Sequence, residues 1–187
     1  MAILLVSGMT GVAYASFDTV NPQNNSSANK VDLQLKDQDD GWADPVLATW
    51  VVTNMAPGEE FAFNESFVGL WSDFPGKVEI SCNYTVDGKS DSHADDMAKY
   101  MVITSFVYNN EEWQVQDVDG DGRVTFYDLT QSPLTNLPSP SKGGDEGTRF
   151  EMSVKFHQDA GNEFQGDTFN LTMSFTLKPG QAKGKPH

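Results

Sequence analysis

Residues 117–128 read Asp117-Val118-Asp119-Gly120-Asp121-Gly122-Arg123-Val124-Thr125-Phe126-Tyr127-Asp128. Their spacing suits an oxygen cage for a hard cation. Carboxylates stand at positions 1, 3, 5 and 12 of this stretch. Side chains two apart on a turning backbone converge, and Ca2+ takes about six to eight oxygens at short range. Asp117, Asp119, Asp121 and Asp128 are therefore candidate ligands. Gly122, at position 6, permits a sharp turn. Arg123, at position 7, has only its main-chain carbonyl to offer. Thr125, at position 9, is a corner that is often filled through a water. The competing reading of the same residues is an acidic, glycine-rich surface turn that holds nothing. No second D-x-D-x-D-G stretch follows, and no long helix precedes this one. A pair of loops that opens a groove is not expected, so the Ca2+ is expected to be structural and to staple a single loop.

The elements that must carry this loop read as strands. Val31, Leu33 and Leu35 alternate with Asp32, Gln34 and Lys36. Strict alternation recurs over residues 60–67, 78–86, 150–157 and 169–177. Period two sends neighbouring side chains to opposite faces, so each such strand has one dry and one wet side. Residues 47–53 and 101–108 read as further strands. Residues 94–100 suit one short helix, started by Asp91 or Ser92, and residues 125–131 one more helical turn. Residues 54–59 form a Pro-Gly turn. Residues 132–147, rich in Pro, Ser and Gly, read as a patternless loop, and residues 179–187 as a polar tail. The expected fold class is all-β: a jelly-roll-like sandwich of two sheets with one or two short helices. The expected division is an N-terminal strand, residues 1–17, and a domain over residues 18–187.

Composition bounds the partners. The chain has 187 residues and a formal net charge of −15. Phosphates would be repelled by such a surface, so nucleic acid is not an expected partner. The same repulsion argues against anionic membrane surfaces. Asp37, Asp39, Asp40 and Asp44, around Trp42, form either a weaker cation site or a solvated turn. Cys82 is the single cysteine, so no intrachain disulfide exists. It falls on the apolar face of its strand, as an inert buried thiol does. His93, His157 and His187 stand alone, without H-E-x-x-H or any zinc spacing, and no Ser-His-Asp grouping is visible. The chain is not expected to be an enzyme.

N-x-[ST] sequons occur at Asn24, Asn25, Asn64, Asn83 and Asn170. Asn64, Asn83 and Asn170 fall on the wet side of their strands, where a glycan could sit. Wet faces are also rich in Asn, Ser and Thr for ordinary reasons. Occupied sequons would place the protein at the cell surface or outside it.

The first residues, 1–15, are apolar and uncharged, and too short and glycine-rich to span a bilayer. They have two readings. One is the end of a secretory signal, cut after Ala13-Tyr14-Ala15. The other, which is favoured, is a retained strand lent to the open sheet edge of a neighbouring copy, through Ile3, Leu4, Leu5, Val6, Met9, Val12 and Tyr14. Each added main-chain bond contributes about 0.5–1.5 kcal/mol. Each buried aliphatic residue contributes about 1.5–3 kcal/mol. Such a contact does not close on itself and grows a filament.

Several short motifs carry a family resemblance. Residues 12–17 lead to Val31-Asp32-Leu33-Gln34-Leu35. Asn54-Met55-Ala56-Pro57-Gly58-Glu59-Glu60 forms a turn. Residues 94–103 form a helix-to-strand segment. Phe164-Gln165-Gly166-Asp167 lies between the last two strands. In these places the chain resembles the TasA/camelysin family of bacterial and archaeal matrix-fibre proteins. The loop at 117–128 resembles that of dockerin modules, which also end in Asp followed by Leu, here Leu129. The family resemblance implies a jelly-roll subunit, export to the cell surface, and head-to-tail homopolymers built by inserting one copy's N-terminal strand into the next. It implies lateral bundling in a biofilm matrix or pilus. The metallopeptidase label of some members does not carry over, because the histidine motif is missing. The rival reading is a monomeric calcium-dependent adhesion or carbohydrate-binding sandwich, with Trp42 or Trp113 as open stacking residues. Trp50 and Trp71 complete the tryptophans, and Trp50 alternates with core positions.

Overall fold

The computed structural model describes residues 12–20, 33–36, 46–53, 56–62, 68–73, 75–87, 94–140, 147–164 and 167–179. Two sheets form a β-sandwich. The first runs in the order β3-β1-β11-β6-β9: β3 is Val46–Thr53, β1 Val12–Val20, β11 Thr168–Pro179, β6 Gly76–Asp87 and β9 Leu134–Leu137. The second runs β2-β5-β10-β7-β8: β2 is Leu33–Lys36, β5 Val68–Ser72, β10 Thr148–Phe156, β7 Met101–Tyr108 and β8 Glu111–Glu112. β4, Glu60–Ala62, also pairs with β10. Every pairing is antiparallel except that of β1 with β11. Two α-helices, α1 (Ala94–Tyr100) and α2 (Phe126–Gln131), and a 3-10 turn, Asn162–Phe164, complete the described elements.

The alternation read in the sequence sets the core. Phe150, Met152, Val154 and Phe156 of β10 are buried, while Arg149, Glu151, Ser153 and Lys155 are half-buried on the other face. Phe169, Leu171, Met173, Phe175 and Leu177 of β11 are buried in the same rhythm. Phe150 joins the sheets: its ring lies 4.9 Å from Phe106 of β7 and 5.3 Å from Phe175 of β11, both edge-on. Offset and edge-on aromatic pairs of this kind add to the area they bury.

Three strands were not legible. β5 reads Val68-Gly69-Leu70-Trp71-Ser72 and is buried at nearly every position, so it shows no alternation. β8 is too short to show any period. β9 lies inside the stretch expected to be a patternless loop. It pairs Leu137 with Val78 and Leu134 with Ile80, and a register shift and the positive φ of Asn136 (65°) hide its pattern.

The N-terminal reading needs correction over residues 12–17. Val12 and Tyr14 were expected to leave the domain as part of a donor strand. Instead β1 lies inside the chain's own first sheet: Val12 pairs with Thr168 and Thr53, Tyr14 with Asn170 and Val51. The physical reason is that β11 offers an edge over Thr168–Thr176, and an extended segment from the same chain fills it. Among the described residues, β1 is therefore a member of the sandwich. Ile3, Leu4, Leu5, Val6 and Met9 lie outside the described residues, as do Asp37, Asp39, Asp40, Trp42, Asp44 and residues 180–187. No helix among the described residues is long and apolar enough to cross a membrane.

Replacing Phe150 by Ala should cost about 3–5 kcal/mol, the usual range for a buried aromatic ring. Urea unfolding followed by tryptophan fluorescence measures it, and a loss below about 1 kcal/mol would show that the two sheets are not joined at this ring.

Candidate metal centre

The loop at 117–128 is held at both ends against β7. On the entry side, the Trp113 amide donates to the Phe106 carbonyl at 2.8 Å, its indole N–H donates to the Tyr108 carbonyl at 3.4 Å, and Val115 is buried. On the exit side, the Ile103 amide donates to the Val124 carbonyl at 2.8 Å, and Thr125 bridges to Val102. α2 follows at once and buries Phe126 and Leu129 completely. Phe126 stacks on Phe169 of β11, ring centres 5.9 Å apart. Cys82 of β6 donates weakly to the Phe126 carbonyl at 3.6 Å and contacts the Thr130 hydroxyl at 3.2 Å. Burial pushes its thiol up to about 12, against a smaller opposing effect of Thr130, so the thiol stays protonated and inert as expected.

Within this frame the backbone gathers the carboxylates. Asp117 accepts the Gly120 amide on Oδ1 at 2.7 Å and the Gly122 amide on Oδ2 at 3.0 Å. Those glycines have φ of 74° and 84°, the left-handed region in which a side chain is strained. Asp128 is fully buried and does more than close the loop. Its Oδ1 accepts the Val118 amide at 2.8 Å, and its Oδ2 accepts the Thr125 amide at 2.9 Å and the Thr125 hydroxyl at 2.7 Å. Thr125 Oγ1 in turn accepts the Asp128 amide at 3.4 Å. This reciprocal pair is the capping box of α2. One carboxylate thus ties the start of the loop to the start of the helix.

Asp117, Asp119 and Asp128 each offer an oxygen, and these oxygens lie within 4.8 Å of one another. All three donors are hard oxygens, with no imidazole or thiolate among them, which suits a cation of the calcium or magnesium type better than zinc. Three of the six candidate ligands are brought together by their side chains. Asp121 is turned aside: its Oδ2 accepts the Arg123 Nε–H at 2.8 Å and an Nη2–H as well, and its Oδ1 accepts the Arg123 amide at 2.8 Å. The hydrogen bond from Arg123 holds the Asp121 carboxyl below its ordinary range, and the same bond raises the Arg123 guanidinium. The Thr125 hydroxyl is spent on Asp128. An ion that uses Asp121 must draw it off Arg123.

Two residues that the sequence did not single out border the cluster. Lys99 of α1 places Nζ 3.5 Å from Asp119 Oδ2. The same ammonium lies 4.4 Å from the ring centre of Tyr127. Lys99 has no fixed spacing to the loop motif that could have marked it, and Tyr127, inside the stretch, offers no carboxylate. Of the sequons, Asn83 is exposed, whereas Asn170 is half-buried and donates its side-chain amide to Asp87 Oδ2 at 2.8 Å. Asn24, Asn25 and Asn64 lie outside the described residues, as do His93 and His187. His157 is half-buried beside Asp159, Trp71 is half-buried, and Trp113 is half-buried against the core.

Asp128→Ala leaves the Val118 and Thr125 amides without their acceptor. The buried Thr125 amide costs about 1–3 kcal/mol when orphaned and the part-buried Val118 amide less, so stability should fall by about 2–4 kcal/mol. The loss should be present in chelator as well as in CaCl2, read from denaturant midpoints in both; unchanged stability in chelator would remove the capping role. No family model matches the chain, nor does any curated protein or solved structure.

Proposed function

We propose that the chain is a structural subunit of an extracellular filament, stapled by one Ca2+ in the loop at 117–128 and assembled head-to-tail by exchange of its N-terminal strand. The observation that carries this reading is the place of β1. It lies between β11 and β3, paired with both, and among the described residues β3 has no other neighbour in that sheet. The slot is read by main-chain hydrogen bonds over the whole of β1. An identical segment from a second copy satisfies it equally well. Residues 21–32 separate β1 from β2 and reach at most ~40 Å when extended, enough to cross to a neighbour. An exchange that is not reciprocated does not close and runs on as a fibre. The resemblance to TasA/camelysin proteins supports the same reading, with a biofilm matrix or surface pilus as the setting. The carbohydrate-binding alternative is weaker, because Trp113 is half-buried against the core.

Two measurements test the two halves. Ser16 and Thr172 are partners in the β1–β11 register, so cysteines at both positions form a disulfide wherever that pairing exists. Under oxidation at concentrations where fibres form, the Ser16→Cys/Thr172→Cys protein should give a ladder on non-reducing gels, and negative-stain images should show filaments. Monomer-sized product alone, without filaments, would sink the exchange. Saturating CaCl2, at about a hundredfold over the dissociation constant, should add about 2.7 kcal/mol. For a chain of this size that raises Tm by about 5–10 °C relative to chelator. An unchanged Tm would mean that the loop holds no Ca2+.

A further inference from the structure

The carboxylates of the loop face a cation supplied by the chain itself. Lys99 sits in the last turn of α1, its ammonium 3.5 Å from Asp119 Oδ2. It lies against the Tyr127 ring, which carries it at the rim of the cluster. Asp119 is one of the three carboxylates whose oxygens converge. A lysine ammonium and a divalent ion on the same oxygens repel each other and compete for the same lone pairs.

We propose that Lys99 is a built-in counter-ion that competes with the metal for Asp119 and so sets the affinity of the loop. This rests on the reading of residues 117–128 as a cation site. The lysine relieves the repulsion among the gathered carboxylates when no ion is bound, and it must give way when one enters. A place to go lies beside it. A cleft of about 300 Å3 is lined by Asp96, Lys99, Tyr100, Arg123, Glu163 and Phe164, and Asp96 and Glu163 are the carboxylates on its wall. Arg123 has the same relation to Asp121 and also lines the cleft. Both basic groups therefore stand between the loop and the cleft. The side chain of Lys99 is 36% exposed, so solvent and salt weaken the competition without abolishing it.

Calorimetric titration of the full chain with CaCl2, at about 50 mM salt, tests this. Lys99→Met removes the charge and keeps an apolar stem over Tyr127; it should bind Ca2+ about three- to tenfold more tightly than wild type, with the gap shrinking as salt rises. Lys99→Arg keeps the charge and should bind like wild type. If wild type gives no binding, the loop reading fails and this inference falls with it. If wild type binds and Lys99→Met binds equally or more weakly, the counter-ion role is overturned while the loop reading stands. Tighter binding by Lys99→Arg as well would show that the charge is not responsible, and would also overturn it. Thermal melts in chelator establish that each variant is folded, and Lys99→Gln replaces Lys99→Met should the latter fail to fold.

Discussion

β11 is paired along both edges, and much of what the molecule can do passes through that strand. On one side β6 matches it over all 12 of its residues, on the other β1 over nine. Its inward side chains fill the middle of the sandwich. Phe175 meets Phe150 of the second sheet, and Phe169 stacks both on Tyr84 of β6 and on Phe126 of α2. A strand with both edges satisfied leaves no exposed amides to aggregate. The two edges are not equivalent, however. The β6 edge is antiparallel and lies within a deep core, whereas the β1 edge is filled by a segment that arrives from the other end of the chain.

The loop at 117–128 is connected to that same strand by packing. Phe126 rests on β11, Thr130 and Cys82 fix α2 to β6, and Asp128 fixes α2 to Val118. The carboxylates are therefore collected by folding rather than by an ion. Main-chain amides of Val118, Gly120, Gly122 and Thr125 supply part of the positive field, and Lys99 and Arg123 supply most of the rest. Such a site is preorganised on its buried side, at Asp128, and adaptable on its exposed side, at Asp119 and Asp121. An ion entering from solvent would meet the exposed Asp119 and Asp121 first and the buried Asp128 last.

The sequence displayed what has a period or a fixed spacing. β10 and β11 alternate without a break, so their faces were legible, and the alternation of β6 made the burial of Cys82 legible. The start of α2 was legible because Thr125 and Asp128 stand three apart. The same spacing explains why the loop reading was incomplete. In the linear motif Thr125 and Asp121 are ligands, but in the fold Thr125 caps a helix and Asp121 pairs with Arg123, its neighbour two residues on. Those local hydrogen bonds compete with the ion, and no pattern of residue types reveals the outcome. β5 escaped because a strand buried on both faces loses its alternation. Lys99 escaped because its meeting with Asp119 is a tertiary contact.

The misplacement of β1 has a physical consequence for the filament reading. A strand that leaves its own sheet must surrender as many hydrogen bonds as it regains in the neighbour, so exchange is nearly neutral in contacts. The balance then rests on chain concentration and on charge. With a formal net charge of −15 per subunit, copies repel one another at low ionic strength. In the proposed filament, a divalent ion in each loop would remove part of that repulsion at its source. On this reading the loop does more than stiffen one turn: it lowers the electrostatic cost of bringing acidic subunits together, while the register of β1 on β11 decides how they join.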